Sequence, residues 1–298
     1  MRPEFGIVMS HAPGLSQFWE TMPAERRAPL AAAYAQLRAD LAEMQPDVIV
    51  AFINDHFRSF SLAAYPAFCI GLGDVHDVPM AGGDAILRMP QRRFKGDPEL
   101  AHHILESVMN DGFDPAFSGE LNFFDDLSVP LRHLYPPDAA LPGVKIVPIM
   151  INCIARPLPS MRRCHDLGIA VRRALDRFPG EPRRVVVLGT GGISHWVGMP
   201  RNGDINVEFD RKVIELVEQG RAEEMLAWTD DEIENQAGNG ALELRNWIAA
   251  FAAMGQYVPR PLGYVAALEA ITGSAAIALD AIDVPGVAHA ARGKGAAL

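Results

Sequence analysis

The 298-residue chain predicts an α/β fold: a mostly parallel central sheet covered by helices, with a helical cluster toward the C-terminus. Two observations predict it. Short β-branched runs alternate with stretches whose apolar residues recur at spacings of three and four, the pattern of repeated βαβ units. Three of those runs, Phe5-Gly6-Ile7-Val8-Met9, Val48-Ile49-Val50-Ala51-Phe52-Ile53 and Val185-Val186-Val187-Leu188, are each followed within seven residues by a histidine: His11, His56 and His195. Open α/β sheets gather their ligands just beyond the carboxyl ends of their strands. Three histidines delivered this way predict one shared pocket.

After the first strand, Leu30, Tyr34, Leu37, Leu41 and Met44 give residues 24 to 44 a helical face, which Pro46 ends. The second strand follows, and Phe68 to Leu72 reads as another. Residues 73 to 97, rich in Gly, Asp, Pro and Arg, predict a long irregular excursion of the kind that lids a site. Asp97-Pro98 opens a helix to about residue 110, with Asp as cap and Pro at the first helical position. A second irregular stretch, 118 to 142, carries Asp125, Asp126, His133 and Tyr135. Val144 to Ile151 is a strand and Ser160 to Phe178 a helix, leading to the strand at 185 and the turn Gly189-Thr190-Gly191-Gly192. A polar linker, 197 to 206, precedes a helix from Glu208 to Gln219. Thr229-Asp230-Asp231-Glu232 is a capping box. Gly238-Asn239-Gly240 breaks that helix, and a strongly apolar one runs on to Met254. The Ala-rich tail from Tyr264 predicts another helix, fraying after Pro285. With no repeat and no low-complexity segment, residues 1–298 are expected to form a single domain.

Composition narrows the function classes. Hydrophobic residues make up 49% and charged residues 21%, an ordinary globular balance. A net charge of −10 argues against nucleic acid or an anionic membrane surface as partner. The three cysteines, Cys69, Cys153 and Cys164, form no CxxC and read as buried reduced thiols. The first apolar run is too short for a signal-peptide core, and nothing reaches membrane-spanning length. A cytoplasmic protein is the expectation.

His11 and His56 suit a metal, because neutral imidazole is the commonest metal ligand and loops off neighbouring strands converge. Glu243 is the best third group. It starts the most apolar helix, with Trp247 one turn on along the same face, so its carboxylate tilts inward and needs a cation. The alternative is a carboxylate that serves only the helix dipole, beside loop histidines that are simply hydrogen-bonded. Two histidines and a carboxylate with open positions form the set of non-haem Fe(II) oxygenases. Zinc hydrolases use the same ligand types. His195 would then be an unliganded group able to move a proton near neutral pH. Other motifs carry less. Ser194 stands where a dinucleotide-binding GxGxxG needs its last glycine. Adjacent His102 and His103 face different ways on a helix. Arg92, Arg93 and Arg201 are either substrate-carboxylate clamps or solvated loop charges.

Ser10-His11-Ala12-Pro13, Asn54-Asp55-His56, Gly189 to His195, and Glu243-Leu244 with Trp247 occur in that order. In this they resemble the class III, or LigB-type, extradiol ring-cleavage dioxygenases, the group that holds the protocatechuate 4,5-dioxygenase β subunit and 2,3-dihydroxyphenylpropionate dioxygenase. The resemblance implies Fe(II) on His11, His56 and Glu243, with His195 as acid-base residue beside a catechol-like aromatic and O2. It also implies a homo-oligomer, with a small accessory subunit in some relatives; here the loops at 73 to 97 and 118 to 142 are expected to close the pocket. The chain departs from the pattern once. Where the family carries a histidine five residues before Pro-Leu, this sequence has Asp125, before Pro130-Leu131. Asp125 is therefore a candidate catalytic residue, as proton donor or substrate partner, against the alternative of a turn-capping carboxylate. A zinc hydrolase on the same ligands, or a non-catalytic member of the fold, are the competing readings.

Overall fold

A computed structural model describes residues 1–138 and 143–282. The chain runs through β1 (Pro3–Met9), α1 (Gly14–Gln17), α2 (Ala24–Met44), β2 (Val48–Ile53), β3 (Phe68–Gly71), β4 (Val75–Val78), α3 (Gly83–Leu87), β5 (Arg92–Gly96) and α4 (Pro98–Asn110). It continues through β6 (Ala116–Ser118), α5 (Asp125–Leu134), β7 (Lys145–Ile151), α6 (Met161–Arg177), β8 (Val185–Thr190), α7 (Val207–Glu218), α8 (Asp230–Ala237), α9 (Leu244–Met254), β9 (Tyr257–Ala267) and β10 (Thr272–Ala281). One sheet joins the strands in the order β4-β5-β7-β2-β8-β1-β10-β9, with β3 beside β7 and β6 beside β3. Its centre, β7-β2-β8-β1, is parallel. The edges are antiparallel, where β10 pairs with β1 and β9, and β4 with β5.

Side-chain alternation divides the core. Val48, Val50 and Phe52 of β2 face a layer made by α4, α6, α7 and α9, while Ile49, Ala51 and Ile53 face α2 and α5. Strands buried on both faces need continuous apolar runs, which is why β2 and the start of β8 lack polar residues. On α2 the buried face is Leu30, Tyr34, Leu37 and Leu41, the same residues whose spacing predicts the helix. Asp97 caps α4 through the Leu100 N–H, and Thr229 with Glu232 forms the capping box of α8.

Three segments differ from the sequence reading. Residues 73–97 form β4, α3 and β5, and β5 joins the sheet alongside β7, so the excursion extends the edge. Within 118–142, residues 125–134 are helical, with Pro130 accommodated inside α5; 139–142 lie outside the described residues. The Ala-rich tail is a strand pair. β10 is buried on both faces between β1 and β9, where small side chains let helical layers approach closely. Packing there overrides the helical preference of alanine. The expected fraying beyond Pro285 lies outside the described residues. Among the described residues no helix is long and apolar enough to cross a membrane, and the three cysteines are buried and free.

Candidate active site

Strand β8 lies between β1 and β2, so the three histidine-bearing loops leave the sheet side by side, with Met9 level with Thr190 and Phe52 with Gly189. Helix α9 crosses β8 closely. A Cβ on Gly189 would stand 2.9 Å from the Asn246 carbonyl oxygen, so only glycine admits the helix here. That approach sets Glu243, at the helix N-cap, over the strand ends.

His11, His56, Asp125, His195 and Glu243 meet there. His11 Nδ1 lies 3.0 Å from Thr190 Oγ1, and its Nε2 lies 3.3 Å from Glu243 Oε2. His56 Nε2 lies 3.1 Å from Glu243 Oε1, and its Nδ1 3.0 Å from Asp125 Oδ1. Glu243 is held in turn: its Oε2 accepts the Gly192 N–H at 2.7 Å, and its Oε1 accepts Asn54 Nδ2 at 3.1 Å. Asn246 Nδ2 donates to the Thr190 carbonyl at 2.9 Å, tying α9 to the end of β8.

His195 stands slightly apart, its Nε2 3.9 Å from Glu243 Oε2. Its Nδ1 lies 3.2 Å from the Ile193 carbonyl, which can only accept, so Nδ1 carries the proton and Nε2 presents a lone pair. A Cβ on Gly240 would fall 2.1 Å from that Nε2; glycine clears the space. Behind the ring, Asp210 accepts the Ser194 N–H at 2.8 Å and the Tyr264 hydroxyl at 2.7 Å, anchoring the loop to α7 and β9.

Electrostatics separate His195 from the other two histidines. Burial holds His195 below its ordinary range, so it is neutral near pH 7. Burial also opposes charge on His11 and His56, but Glu243 beside the first and Asp125 beside the second outweigh it, and both rings sit above the usual range. The carboxyls of Glu243 and Asp125 are buried too, yet the facing imidazoles hold both below theirs. Two negative charges thus balance two positive ones, and a divalent cation carries the same charge as those two protons.

Three buried atoms in the cluster, His11 Nε2, His56 Nδ1 and Asp125 Oδ1, have no aligned hydrogen-bond partner. Ligand atoms of these three side chains lie within 4.8 Å of one another. Buried polar atoms are nearly always satisfied, so orphans gathered at one point fit a metal centre. His11, His56, Asp125 and Glu243 are the residues that could hold it.

They form one wall of a cavity of about 530 Å³. Ala12, Pro13, Phe124, Ile154 and Ile271 supply apolar surface, and Arg58 is the only Arg or Lys among the described residues that line it. Asp125, expected in an irregular loop, is buried in the first turn of α5 and touches His56. No residue of 73–97 lines the cavity, so the expected lid is not there; from 118–142, Phe124 and Asp125 do. The proposed clamps lie elsewhere: Arg93 pairs with Asp77, Arg201 with Asp204, and Arg92 donates to the Tyr135 and Pro136 carbonyls. His102 is exposed, and the His103 ring lies 2.8 Å from the Ala174 carbonyl oxygen. Arg58, Thr190, Asn246 and the Ile271-Thr272 turn were not singled out by the sequence. Asn246, one turn beyond Glu243 on the same helix, was the most findable of them. A larger cleft of about 940 Å³ lies at the other end of the sheet, where Arg183 and Arg184 are paired by Asp97 and Asp47.

A 2,3-dihydroxyphenylpropionate/2,3-dihydroxicinnamic acid 1,2-dioxygenase of Mycolicibacterium gilvum is 31% identical over a 296-residue alignment that covers 82% of this chain and 88% of that protein. The Klebsiella pneumoniae enzyme of the same name is 28% identical over 269 residues, covering 75% and 81%. A crystal structure of an uncharacterized Escherichia coli K12 protein covers 92% of this chain and 99% of its own at 12% identity, with a TM-score of 0.49, too loose a likeness to carry an argument. The family described as the catalytic LigB subunit of aromatic ring-opening dioxygenase matches residues 6–274, a span that contains every side chain of the cluster. The chain belongs to the LigB family of aromatic ring-opening dioxygenases.

Proposed function

We propose that the protein opens the ring of a catechol-like aromatic, dihydroxy-, trihydroxy- or aminohydroxy-substituted, with O2, in a reaction that depends on Fe(II) held by His11, His56 and Glu243. The observation that supports this most is the buried cluster of two imidazoles and two carboxylates, with unsatisfied atoms, beside a neutral histidine in an apolar cavity. When bound, the iron would supply a Lewis-acidic, redox-active centre that brings substrate and O2 together.

The chain's own residues do the rest. Thr190 holds His11 by Nδ1, so Nε2 is the nitrogen free to ligate. Asp125 faces His56 Nδ1 while His56 Nε2 faces Glu243, the arrangement of a carboxylate that orients a metal-bound histidine. Asp125 also lines the cavity, where it meets the substrate and shapes which ring fits. His195 Nε2, neutral and unprotonated, accepts a proton from a substrate hydroxyl and returns it when the ring opens. Ala12, Pro13, Ile154 and Ile271 pack on the aromatic faces and exclude water. Assembly as a homo-oligomer in the cytoplasm belongs to the same proposal, and a monomer in light scattering at micromolar concentration would count against that part.

The test is anaerobic reconstitution with Fe(II) or Zn(II), followed by a panel of catechols, gallates, aminophenols and dihydroxypyridines in an oxygen electrode. Stoichiometric O2 uptake by the iron form alone, with a ring-opened acid or semialdehyde as product, is expected. Activity that persists with zinc and without oxygen would replace this reading with a metal-dependent hydrolase.

A further inference from the structure

Among the described residues, every charged group lining the cavity is a member of the histidine–carboxylate cluster except Arg58. Arg58 forms no ion pair among the described residues. The nearest acid in sequence, Asp55, is already committed, because its carboxylate accepts the backbone N–H groups of Arg58, Ser59 and Phe60 at 3.1, 2.8 and 3.1 Å. The rest of the loop is pinned as well. Asn122 donates from Nδ2 to the Arg58 carbonyl at 3.2 Å and from its backbone N–H to Ser59 Oγ at 2.8 Å, and the Tyr65 hydroxyl donates to the Asp55 carbonyl. The guanidinium itself lies 4.3 Å above the ring of Phe124, a side chain only 7% exposed that lines the same cavity. A cation stacked on a buried ring is held in place with its N–H edge free. This one sits two residues beyond His56, in a molecule whose net charge is −10.

We infer that Arg58 is a specificity-determining residue: it binds a carboxylate on the side chain of the aromatic substrate. The inference rests on the ring-opening reading above and narrows it to catechol-like acids. A planar guanidinium with unpaired donors matches a carboxylate in shape and charge, and its contact with the Phe124 ring holds this exposed side chain at the cavity wall. Among the described residues no other lysine or arginine lines the cavity to do this, and Arg92, Arg93 and Arg201 are engaged elsewhere. A neutral or cationic catechol would leave the guanidinium without a partner, whereas an acid brings one.

The experiment compares a catechol bearing a short carboxylate side chain with its methyl ester, on the Fe(II)-loaded protein and on Arg58→Gln, Arg58→Lys and Arg58→Glu. Two quantities are read: kcat and KM in air, and equilibrium binding by calorimetry under anaerobic conditions. The wild type is expected to favour the acid in both, by about 10- to 100-fold, the usual worth of a hydrogen bond to a charged group. Arg58→Gln should erase that preference, with a rise in KM for the acid much larger than any change it causes for the ester. Arg58→Lys should restore part of it, and Arg58→Glu should turn it against the acid. Equal losses for acid and ester, equal binding of both by the wild type, or binding of neither would overturn the inference. If neither compound is turned over but the acid still binds more tightly through Arg58, the carboxylate subsite stands and the ring-opening reading falls.

Discussion

Helix α5 carries a buried acid at one end and a buried histidine at the other, and the two ends are solved differently. At its start, Asp125 meets His56 in a cluster where three polar atoms lack aligned partners. Near its end, His133 is stacked against Tyr34, with ring centroids 4.3 Å apart, and meets Trp19 edge-on at 4.5 Å, and its Nε2 lies 3.1 Å from the Leu15 carbonyl oxygen. Burial pushes His133 down to about 3, whereas the carboxylates hold His11 and His56 above their usual range. Both regions bury imidazole. The second encloses its imidazole with aromatic rings and a carbonyl; the first leaves atoms of three ligating side chains without aligned partners. Buried atoms without partners occur in the core too, at Tyr34 Oη and Trp247 Nε1; the site is marked by three of them, on ligating side chains, gathered at one point.

The strongest way to break the comparison is to remove the acid that joins both metal-facing histidines. Glu243→Ala should lose bound iron and with it ring-opening activity, read as metal content after anaerobic equilibration and as oxygen uptake. Asp125→Asn should have an intermediate effect. If Asp125 orients His56, metal affinity falls by about 10- to 100-fold, the common cost of losing such a partner, and activity recovers at high Fe(II). Should Asp125→Asn lose iron outright while Glu243→Gln retains it, the two carboxylates have exchanged ligand and orienting roles. The smallest effect on activity belongs to His133→Phe. Turnover per iron should match the wild type, while stability falls by about 1–3 kcal/mol because the buried Leu15 carbonyl loses its partner.

That last variant also sharpens the comparison by pH. His133 takes up its proton near pH 6.5 in the unfolded chain but only near 3 in the folded one. Its folded pKa is depressed, so the unfolded state binds more protons across that window and stability declines as pH falls through it. His133→Phe removes this contribution. Its urea midpoint, measured from pH 7 down to 4, should fall less steeply than that of the wild type.

The sheet and the ligand-bearing loops were legible because they follow from local pattern. β1, β2, β7 and β8 are continuous apolar runs, α2 shows its spacing, and each histidine follows a strand end. What was misread depends on neighbours distant in sequence. Alanine favours helix when nothing else decides, but residues 272–281 are claimed by β1 and β9. Pro130 argues for a break, yet α5 keeps its form because Leu127, Val129 and Leu131 are buried against α2 and the sheet. In the site, His11, His56, Glu243 and His195 carry chemistry that their residue types announce. Arg58 carries none that a sequence distinguishes from a surface arginine; only the cavity and the Phe124 ring mark it. Thr190 and Asn246 matter through register, which sequence alone does not reveal.

The pairing of β1 with β10 has a consequence for how the protein is made. Phe5 to Met9 align with Asp280 to Ala276, so β1 waits for a strand made much later in the chain. Contacts this far apart in sequence form late, since the chain between them must be ordered before they contribute. A nascent chain that already presents His11 and His56 still lacks Glu243, the Gly240 clearance beside His195, and the Ile271-Thr272 wall. A chain halted before residue 243 therefore lacks one member of the proposed ligand set, and the cavity wall closes only when the β9–β10 hairpin joins β1.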